Sequence, residues 1–381
     1  MKTFIVLGLG FGDEAKGSTT DFLSFLNPNS LIVRFSGGHQ AGHSVELPNG
    51  LKHVFHNFGS GTLRGTPTYW SKYCTMEPGG IVREYNKLIE KGVTPRLFID
   101  NRCPVVTPYD ISANRQKEKR SKHGTCGVGF GKTIKRQEGK YKLFAADLLF
   151  PEILKLKMEG IAEYYFNQQV YISNHELDAF YKYVKEFNKI QFIQVVNNFE
   201  QVLYHNNIEI YESIIFEGSQ GILLDMEHGF YPHVTRGKTT SHNAMEIIKE
   251  FKLPLPDVYY VTRAYQTRHG NGPMFNEDIK DGILYNLNET NVYNVYQGEF
   301  RKALLNINAL KFALQCDAPY EKNNKYLVIT CLDHMPKLKV VNNDKIEELD
   351  LPVHLGLLLE TDFRNYVLSE SPISEKMKYD Y

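Results

Sequence analysis

The feature that most constrains the fold is a short apolar run followed by a glycine-rich turn near the start of the chain. Residues Thr3–Leu7 are apolar or β-branched and are followed by glycine, which is typical of a buried parallel strand. In the next segment, Gly8–Ser18, glycine recurs at alternate positions, and apolar residues at helical spacing follow Lys16. This order predicts a strand, a tight turn and a helix, in which backbone N–H groups and a helix N-terminus bind phosphate.

Two features distinguish this turn from the standard phosphate loop. The pattern G-x-x-x-x-G-K-[ST] requires a glycine before the lysine and a hydroxyl after it, where this chain has Ala15 and Gly17. Asp13 and Glu14 also bring negative charge into a loop that suits anions. A carboxylate there repels phosphate unless it binds a metal or takes a proton from the substrate. A glycine-rich turn without a ligand is the alternative, and Lys16 close to Asp13 favours a functional loop.

Composition and charge exclude several classes of protein. The 381 residues include 44 basic and 44 acidic side chains, so no net field attracts nucleic acid or an anionic membrane. The apolar content of 42% supports a packed core, and no apolar run has the length of a signal peptide or a membrane span. Five widely spaced cysteines without a C-x-x-C pair predict neither a disulfide framework nor a zinc site. We therefore expect a cytoplasmic protein with no nucleic-acid or membrane partner.

Further apolar runs that end in polar or glycine-rich loops predict the rest of a sheet: Leu31–Phe35, Arg96–Asp100, Ser213–Phe216, Asp257–Thr262, Lys325–Thr330 and Asn365–Ser369. The polar segment from about 145 to 211 has a helical pattern and predicts covering helices. We expect one α/β domain over residues 1–381, with helical insertions at about 145–211. Its large, mainly parallel sheet should have helices on both faces and ligand loops at the carboxyl ends of the strands.

Two more loops carry candidate chemistry. Ser36–His43 is glycine-rich and contains His39 and His43, which could form a metal pair only on a helix that its glycines disfavour. A loop that presents one imidazole to a ligand and a surface turn both remain open. Glycine takes four of the eight positions in Gly124–Gly131, which is flanked by lysines and Arg136. This second cluster suits an anionic ligand, and a flexible basic loop is the alternative.

Taken together, these loops resemble the adenylosuccinate synthetase family. Residues 10–17 (G-F-G-D-E-A-K-G) are similar to its W-G-D-E-G-K-G, and residues 37–43 (G-G-H-Q-A-G-H) to its G-G-x-N-A-G-H. Residues 216–225 and 231–235 resemble F-E-G-A-Q-G-x-x-L-D and Y-P-x-V-T, and residues 267–273 resemble T-R-V-G-x-G-P. The motifs follow the family's order from residue 3 to residue 372, so the resemblance covers nearly the whole chain.

The resemblance implies a homodimeric ligase that joins L-aspartate to carbon 6 of inosine monophosphate (IMP), using GTP and Mg²⁺. Because the purine 6-oxygen is a poor leaving group, it is first phosphorylated, and the aspartate amine then displaces phosphate. By resemblance, Asp13 takes the proton from purine N1 and binds Mg²⁺ together with the Gly42 carbonyl. His43 acts as an acid at the phosphoryl group, Lys16 stabilises phosphate charge, and Gln220 holds the base edge.

The resemblance also implies three sets of binding residues. The nucleoside triphosphate is assigned to Gly10, Gly12, Glu14, Lys16, Gly17, Asp333, Ser369 and Pro372. The purine monophosphate is assigned to Gln40, Thr125, Cys126, Arg136, Gln220, Thr235 and Thr239, with Arg136 as the arginine that family dimers contribute to the neighbouring site. L-Aspartate is assigned to Arg301, helped by Arg268 and Lys302.

Departures from the family patterns leave the substrates open. Arg301 stands where ordinary bacterial members have several arginines, a compact form more like archaeal and bacteriophage members. The guanine-binding K-x-D is reduced to Cys331–Asp333, so GTP is favoured, with ATP or dATP as alternatives. Gln40 and Cys126 replace asparagine and threonine, so dGMP or GMP, the acceptor in a bacteriophage branch, stays possible, whereas the retained Asp13 favours IMP. If a phage encodes the chain, we expect it in the host cytoplasm.

Three hypotheses follow: the aspartate ligase with its dGMP variant, a P-loop GTPase or kinase, and a nucleotide-binding module without catalysis. A switch GTPase should have D-x-x-G and an intact N-K-x-D, and we find neither. A module without catalysis should have lost a charged catalytic residue, whereas Asp13, Lys16, His43, Gln220 and Arg301 are all present. The sequence therefore favours the ligase.

Overall fold

The structure, a computed structural model, describes residues 1–121, 124–206, 208–284, 289, 291, 293, 298–320 and 322–380. The strands in chain order are β1 (Lys2–Gly8), β2 (Ser30–Arg34), β3 (His43–Glu46), β4 (Lys52–Phe55), β5 (Thr68–Trp70), β6 (Leu97–Asp100), β7 (Ile193–Val196), β8 (Tyr204–His205), β9 (Ile208–Glu209), β10 (Ser213–Gly221), β11 (Asp257–Arg263), β12 (Gln266–His269), β13 (Phe300–Ala303), β14 (Leu305–Asn306), β15 (Lys325–Thr330), β16 (Leu338–Asn342), β17 (Lys345–Leu349), β18 (Asn365–Leu368) and β19 (Lys378–Asp380). The α-helices are α1 (Lys16–Leu26), α2 (Pro78–Glu90), α3 (Pro108–Ser121), α4 (Phe130–Gln137), α5 (Pro151–Phe166), α6 (Asn174–Phe187), α7 (Glu200–Leu203), α8 (His242–Glu250), α9 (Ile307–Asp317) and α10 (His354–Leu358).

One large sheet organises the fold. Its ten strands lie in the order β19–β18–β15–β11–β1–β10–β2–β5–β6–β7. Neighbouring strands are parallel throughout, except that β19 runs antiparallel to β18 at one edge. The prediction of an α/β fold with a large, mainly parallel sheet is confirmed.

Helices cover both faces of this sheet, as expected for parallel strands that are buried on both sides. The side chains of β1 alternate between two apolar clusters. Ile5 and Leu7 pack on the side that also buries residues of α8 and α9, whereas Phe4 and Val6 pack with residues of α1. A third cluster lies among β5, β6, α2, α5 and α6.

The segment predicted to be helical, from about 145 to 211, is only partly so. It contains α5 and α6, but it also contains β7, which pairs with β6 at the edge of the main sheet. A segment of four residues is too short for its sequence pattern to distinguish an edge strand from a helical turn, and the strand conformation of β7 depends on its pairing with β6. That residues 1–381 form a single domain stays a prediction.

Because the strands are parallel, the loops after β1, β2, β10, β11, β15 and β18 all open at the same edge of the sheet. We call this edge the carboxyl edge. Nowhere in the described ranges is there a helix long and apolar enough to span a bilayer. All five cysteines are free thiols.

Candidate active site

The loop after β1 contains its own anion. The Glu14 carboxylate accepts hydrogen bonds from the backbone N–H groups of Gly10 (3.1 Å) and Gly12 (2.7 Å) and lies 2.6 Å from the Lys16 ammonium. Glu14 and Lys16 are each 4% exposed. The glycine N–H groups therefore bind a side chain of the loop itself, which explains how a carboxylate is tolerated in a phosphate-binding turn.

The N-terminus of α1 is the part of this loop that suits a phosphate. Ala15, which precedes the helix, is in the left-handed region at φ 71°, and no side chain of the described residues caps the helix there. The first turn also lacks an acidic residue. Uncapped N–H groups at a helix N-terminus bind anions, so the predicted binding function of Lys16 and Gly17 is consistent with the geometry.

Asp13 lies at the bend of the loop, at φ 65°. Its side chain is not held by Glu14 or Lys16, which pair with each other. Burial raises the pKa of the Asp13 carboxyl, and the Arg263 guanidinium opposes this shift. A carboxyl with a raised pKa binds a proton more tightly, which suits a group that takes a proton from a substrate.

His43 is held by a buried carboxylate. Its Nδ1 lies 2.6 Å from Glu217 Oε1, and the Ser60 hydroxyl also donates to Glu217. Burial lowers the pKa of His43, and Glu217 works against that shift. Although burial acts to raise the pKa of Glu217, His43 and Arg34 hold it below its ordinary value. The ionised Glu217 carboxylate therefore accepts Nδ1–H from His43, and the other ring nitrogen, Nε2, is left for a ligand.

His43 also lies against the phosphate loop. A Cβ added at Gly17 would be 2.8 Å from the His43 Cβ and 3.1 Å from the Ser60 hydroxyl. Glycine is therefore required at this position because the loop after β2 approaches α1 so closely. The contact brings two predicted catalytic segments together although they are distant in sequence.

Two glutamine side chains have polar atoms that lack partners. Gln220, at φ 54°, is the next-to-last residue of β10, and its Oε1 is buried with no hydrogen-bond partner among the described residues. Within the same part of the chain, both polar side-chain atoms of Gln40 are also buried and unpartnered. The Cα of Gln220 lies 3.6 Å from a Cβ added at Gly12, so Gln220 abuts the phosphate loop. Unpaired buried amides are costly, and both suit polar ligand contacts.

The loop predicted to bind the monophosphate is fastened to α3. The Thr125 hydroxyl donates to Glu118 (3.0 Å) and accepts from Asn114 (2.9 Å). Burial, and then the Asp13 carboxylate, raise the pKa of the Cys126 thiol to about 11. The effect of Asp13 on Cys126 indicates that this loop lies near Asp13. Because the Thr125 hydroxyl is already hydrogen-bonded, the backbone of Thr125 is the part left for a ligand.

Arg136 does not fit the role predicted for it. Its side chain is 1% exposed and pairs with Asp110 inside its own subunit, with donor-to-acceptor distances of 3.0 Å, while a third nitrogen donates to the Tyr141 carbonyl (2.7 Å). A fully buried, ion-paired guanidinium cannot reach a neighbouring subunit. The sequence places Lys132, Lys135 and Arg136 in α4 but does not reveal which of them faces inward.

The threonines predicted to bind phosphate differ in availability. The Thr239 hydroxyl donates to the Gly221 carbonyl (3.0 Å), and its backbone N–H donates to Asp225 (2.6 Å). Thr239 therefore braces the chain that follows Gln220. Thr235 is half-buried, and its N–H donates to the Leu224 carbonyl (2.8 Å), which leaves its hydroxyl as the candidate contact.

The three residues predicted to bind L-aspartate lie on the β12–β13 ribbon, where Arg268 and Arg301 are direct cross-strand partners. Arg301 contacts the Glu277 carboxylate (2.8 Å), which is 40% exposed, and could exchange it for a substrate carboxylate. Arg268 donates to three backbone carbonyls and stacks over Phe11 at 4.3 Å. Arg301 also donates to the Gly270 (2.7 Å) and Gly272 (2.9 Å) carbonyls, but its side chain is 19% exposed whereas Arg268 is 2% exposed, so Arg301 is the more accessible guanidinium.

Lys302 completes this ribbon. Its ammonium lies 3.8 Å from the Glu289 carboxylate, and its side chain is 21% exposed.

The residues predicted to bind the base of the triphosphate lie at the carboxyl ends of β15 and β18. These two ends are adjacent, since the N–H of Leu332 donates to the Ser369 carbonyl (3.1 Å). Asp333 and Pro372 are exposed beside this contact, and Gly42, whose carbonyl is the predicted metal ligand, is exposed next to His43.

Several residues of the site were not predicted as functional. Glu217, Ser60 and Arg34 surround His43, and Arg263 contacts the loop of Asp13. A signal existed for two of them, since Arg34 ends the apolar run of β2 and Glu217 directly follows the apolar run of β10. Arg34 lies over Trp70 and 3.9 Å from Glu217, and its nitrogens make no hydrogen bond within the described ranges, so Arg34 balances the buried carboxylate by charge.

Comparisons with known proteins identify the family of this chain. The family model described as Adenylosuccinate synthetase matches residues 5–348. An adenylosuccinate synthetase of Buchnera aphidicola (subspecies Schizaphis graminum) is 30% identical over 358 residues, which cover 88% of this chain and 78% of that protein.

Two solved structures share the fold. The fully ligated adenylosuccinate synthetase of Plasmodium falciparum has a TM-score of 0.77 at 19% identity and covers 100% of both chains. The succinoaminodeoxyadenylate synthetase of cyanophage S-2L, bound to dGMP and to dATP as an energy donor, has a TM-score of 0.64 at 15% identity and covers 99% of this chain and 95% of the other. The resemblance found in the motifs is confirmed: this chain belongs to the adenylosuccinate synthetase family and is a ligase that forms a carbon–nitrogen bond.

Proposed function

We propose that this ligase joins L-aspartate to carbon 6 of IMP with hydrolysis of GTP. The observation that supports this most is the convergence of Asp13, the His43–Glu217 pair and Gln220 on the start of α1. These groups comprise a proton acceptor, an oriented imidazole and an unpaired amide beside an uncapped helix N-terminus. That combination suits proton abstraction coupled to phosphoryl transfer.

In this mechanism the Asp13 carboxylate takes the proton from purine N1, so that electron density shifts to the 6-oxygen. That oxygen attacks the γ-phosphorus of the triphosphate, and the bond between this phosphorus and the β–γ bridging oxygen breaks. Lys16 and the N–H groups at the start of α1 bind the phosphate oxygens. His43, held by the Glu217 carboxylate and protonated when the anionic phosphates are bound, donates from Nε2–H to an oxygen of the transferring group. The aspartate amine, oriented through Arg301, then attacks carbon 6, and the 6-phosphate leaves.

The donor set fits Mg²⁺. In the described residues no group of three or more His, Cys, Asp and Glu side chains could hold a metal by itself. Mg²⁺ commonly binds one or two carboxylates together with substrate phosphates, and Asp13 would be the one protein carboxylate, with the Gly42 carbonyl assigned as a further oxygen ligand by family resemblance. When bound, Mg²⁺ would neutralise charge on the phosphates as it develops.

A second candidate keeps the chemistry and changes the substrates. GMP or dGMP as acceptor is left open by Gln40 and Cys126, and ATP or dATP as donor is left open by Cys331 in place of the family's lysine, although GTP stays favoured. The retained Asp13 favours IMP. We further propose a homodimer in the cytoplasm, supported by family membership alone, in which the buried Arg136, paired with Asp110, is not the shared arginine.

One assay separates these possibilities. Protein, Mg²⁺ and L-aspartate are mixed with GTP, ATP or dATP and with IMP, GMP or dGMP, and phosphate release is followed. The ligase predicts release that requires both aspartate and a purine monophosphate, fastest with GTP and IMP. Release without either would instead indicate a GTPase, and no release with any combination would contradict a catalytic role.

Asp13→Asn tests the assigned base. The amide cannot accept the N1 proton, so we expect turnover to fall by about 10²–10⁴-fold while nucleotide affinity stays within a few-fold. Steady-state kinetics and titration calorimetry measure the two quantities. Turnover close to that of the wild type would refute the role of Asp13.

A further inference from the structure

The phosphate loop is held by three side chains from neighbouring strands, one for each of three consecutive backbone carbonyls. The pairs are the Thr267 hydroxyl with the Gly12 carbonyl (3.2 Å), Arg263 Nε with the Asp13 carbonyl (2.5 Å) and the Thr330 hydroxyl with the Glu14 carbonyl (3.0 Å). Arg263 and Thr330 are register partners at the carboxyl ends of β11 and β15. The loop is thus held by the carboxyl ends of β11 and β15 and by β12, and not only by its own residues.

The strained backbone of this loop requires such hydrogen bonds. Asp13 and Ala15 both have left-handed dihedral angles, with φ of 65° and 71°. A residue other than glycine in that region persists only where the surroundings hold it. The direction of the Asp13 side chain follows from its backbone angles, so whatever fixes the carbonyl also aims the carboxylate.

Arg263 is the strongest of the three contacts. A guanidinium donor makes a charge-assisted hydrogen bond, whereas the two threonines donate neutral ones. Its own position is fixed: it is 8% exposed, another nitrogen donates to Tyr265 (3.1 Å) and Glu289 (3.0 Å), and it lies over the Phe300 ring at 5.6 Å. A rigid donor transmits its position to the carbonyl that it holds.

We propose that Arg263 is a positioning residue for the reaction, which aims the Asp13 carboxylate by holding the Asp13 backbone carbonyl. The inference rests on the proposed function, in which Asp13 acts on the purine. The proposal also links two parts of the site, because Tyr265 and Glu289 fix Arg263, and Lys302 of the aspartate-binding ribbon lies 3.8 Å from Glu289. Glu289 therefore connects a residue assigned to aspartate binding with the residue that orients Asp13.

The kinetic test compares Arg263→Met with Arg263→Lys. Methionine removes the donor, so we expect kcat to fall by about 10²-fold, the usual effect of a displacement near 1 Å, with KM values for nucleotides and aspartate changed less than threefold. Lysine restores a cationic donor and should recover at least tenfold of the loss. Lys322→Met is the matched control, because Lys322 is a buried cation paired with Asp317 at the opposite end of β15. It should lower the melting temperature and leave kcat unchanged.

A second measurement separates this inference from the proposed function. Hydrogen exchange of the backbone amides of residues 12–16 should be faster in Arg263→Met than in the wild type and unchanged in Lys322→Met. If the wild-type protein shows no aspartate-dependent phosphate release, the proposed function fails, and the exchange result still decides whether Arg263 holds the loop. Unchanged exchange, or a kcat for Arg263→Met within twofold of the wild type, would overturn the proposal.

Discussion

Gly17→Ala probes the contact between the phosphate loop and His43. A Cβ at position 17 would lie 2.8 Å from the His43 Cβ, and ordinary van der Waals contact begins at 3.4 Å, so one of them must move by about 0.6 Å. Neither atom is at the end of a flexible chain, since each is bonded directly to backbone. Because a misplacement of 1 Å costs about 10²-fold in rate, we expect kcat to fall by about tenfold or more.

The matched control is Gly160→Ala. Gly160 is also helical, in α5, and a Cβ there would be 3.7 Å from the Tyr141 ring, which is normal contact. Replacing an interior helical glycine with alanine should stabilise the protein by about 1 kcal/mol and leave kcat alone. Thermal unfolding and coupled phosphate release measure the two effects. If kcat of Gly17→Ala stays within twofold of the wild type, the proposed role of the His43 position is wrong.

Two further substitutions test charged contacts of the site. Arg301→Leu should raise the aspartate KM by about 10²-fold, whereas Glu277→Gln, which removes the carboxylate paired with Arg301, should lower the aspartate KM. Initial rates against aspartate concentration measure both effects. An unchanged KM in Arg301→Leu would locate the aspartate subsite elsewhere. Glu217→Gln should lower the free energy of unfolding by about 3–5 kcal/mol at neutral pH, because it leaves buried positive charge without its carboxylate. In denaturant unfolding, the difference between wild type and variant should become smaller as the pH falls through the lowered pKa of Glu217, because the wild type then loses the same negative charge. Its loss of turnover should be absent in a His43→Asn background, and fully additive losses would contradict an action through His43.

Local pattern was enough to predict the elements that carry most of the site. The strand–turn–helix at the start of the chain is correct, because an apolar run, closely spaced glycines and helical periodicity are properties of neighbouring residues. The other strands predicted to end in loops at the carboxyl edge do so, since parallel strands share that edge. Strand β7 was missed because four residues at a sheet edge carry little periodic signal.

The residue pattern does not show which charged side chains of one segment pair with their neighbours. Asp13 and Glu14 are adjacent, yet the Glu14 carboxylate accepts hydrogen bonds from Gly10, Gly12 and Lys16, and the Asp13 carboxylate does not. Arg136 lies in a basic stretch, but it turns inward to Asp110. Which neighbour faces inward depends on the rotation of the backbone at that point, which no motif records.

By itself, the sequence determined the family, the order of the strands and loops, and the residue types that the chemistry needs. Those properties depend on short segments whose spacing is visible along the chain. Only the tertiary structure decided which side chains act on each other: Glu217 holds His43 from 174 positions away, and Arg263 holds Asp13 from 250 positions away. Such pairs form because separate strands of one parallel sheet end at the same edge, where distance along the chain no longer matters.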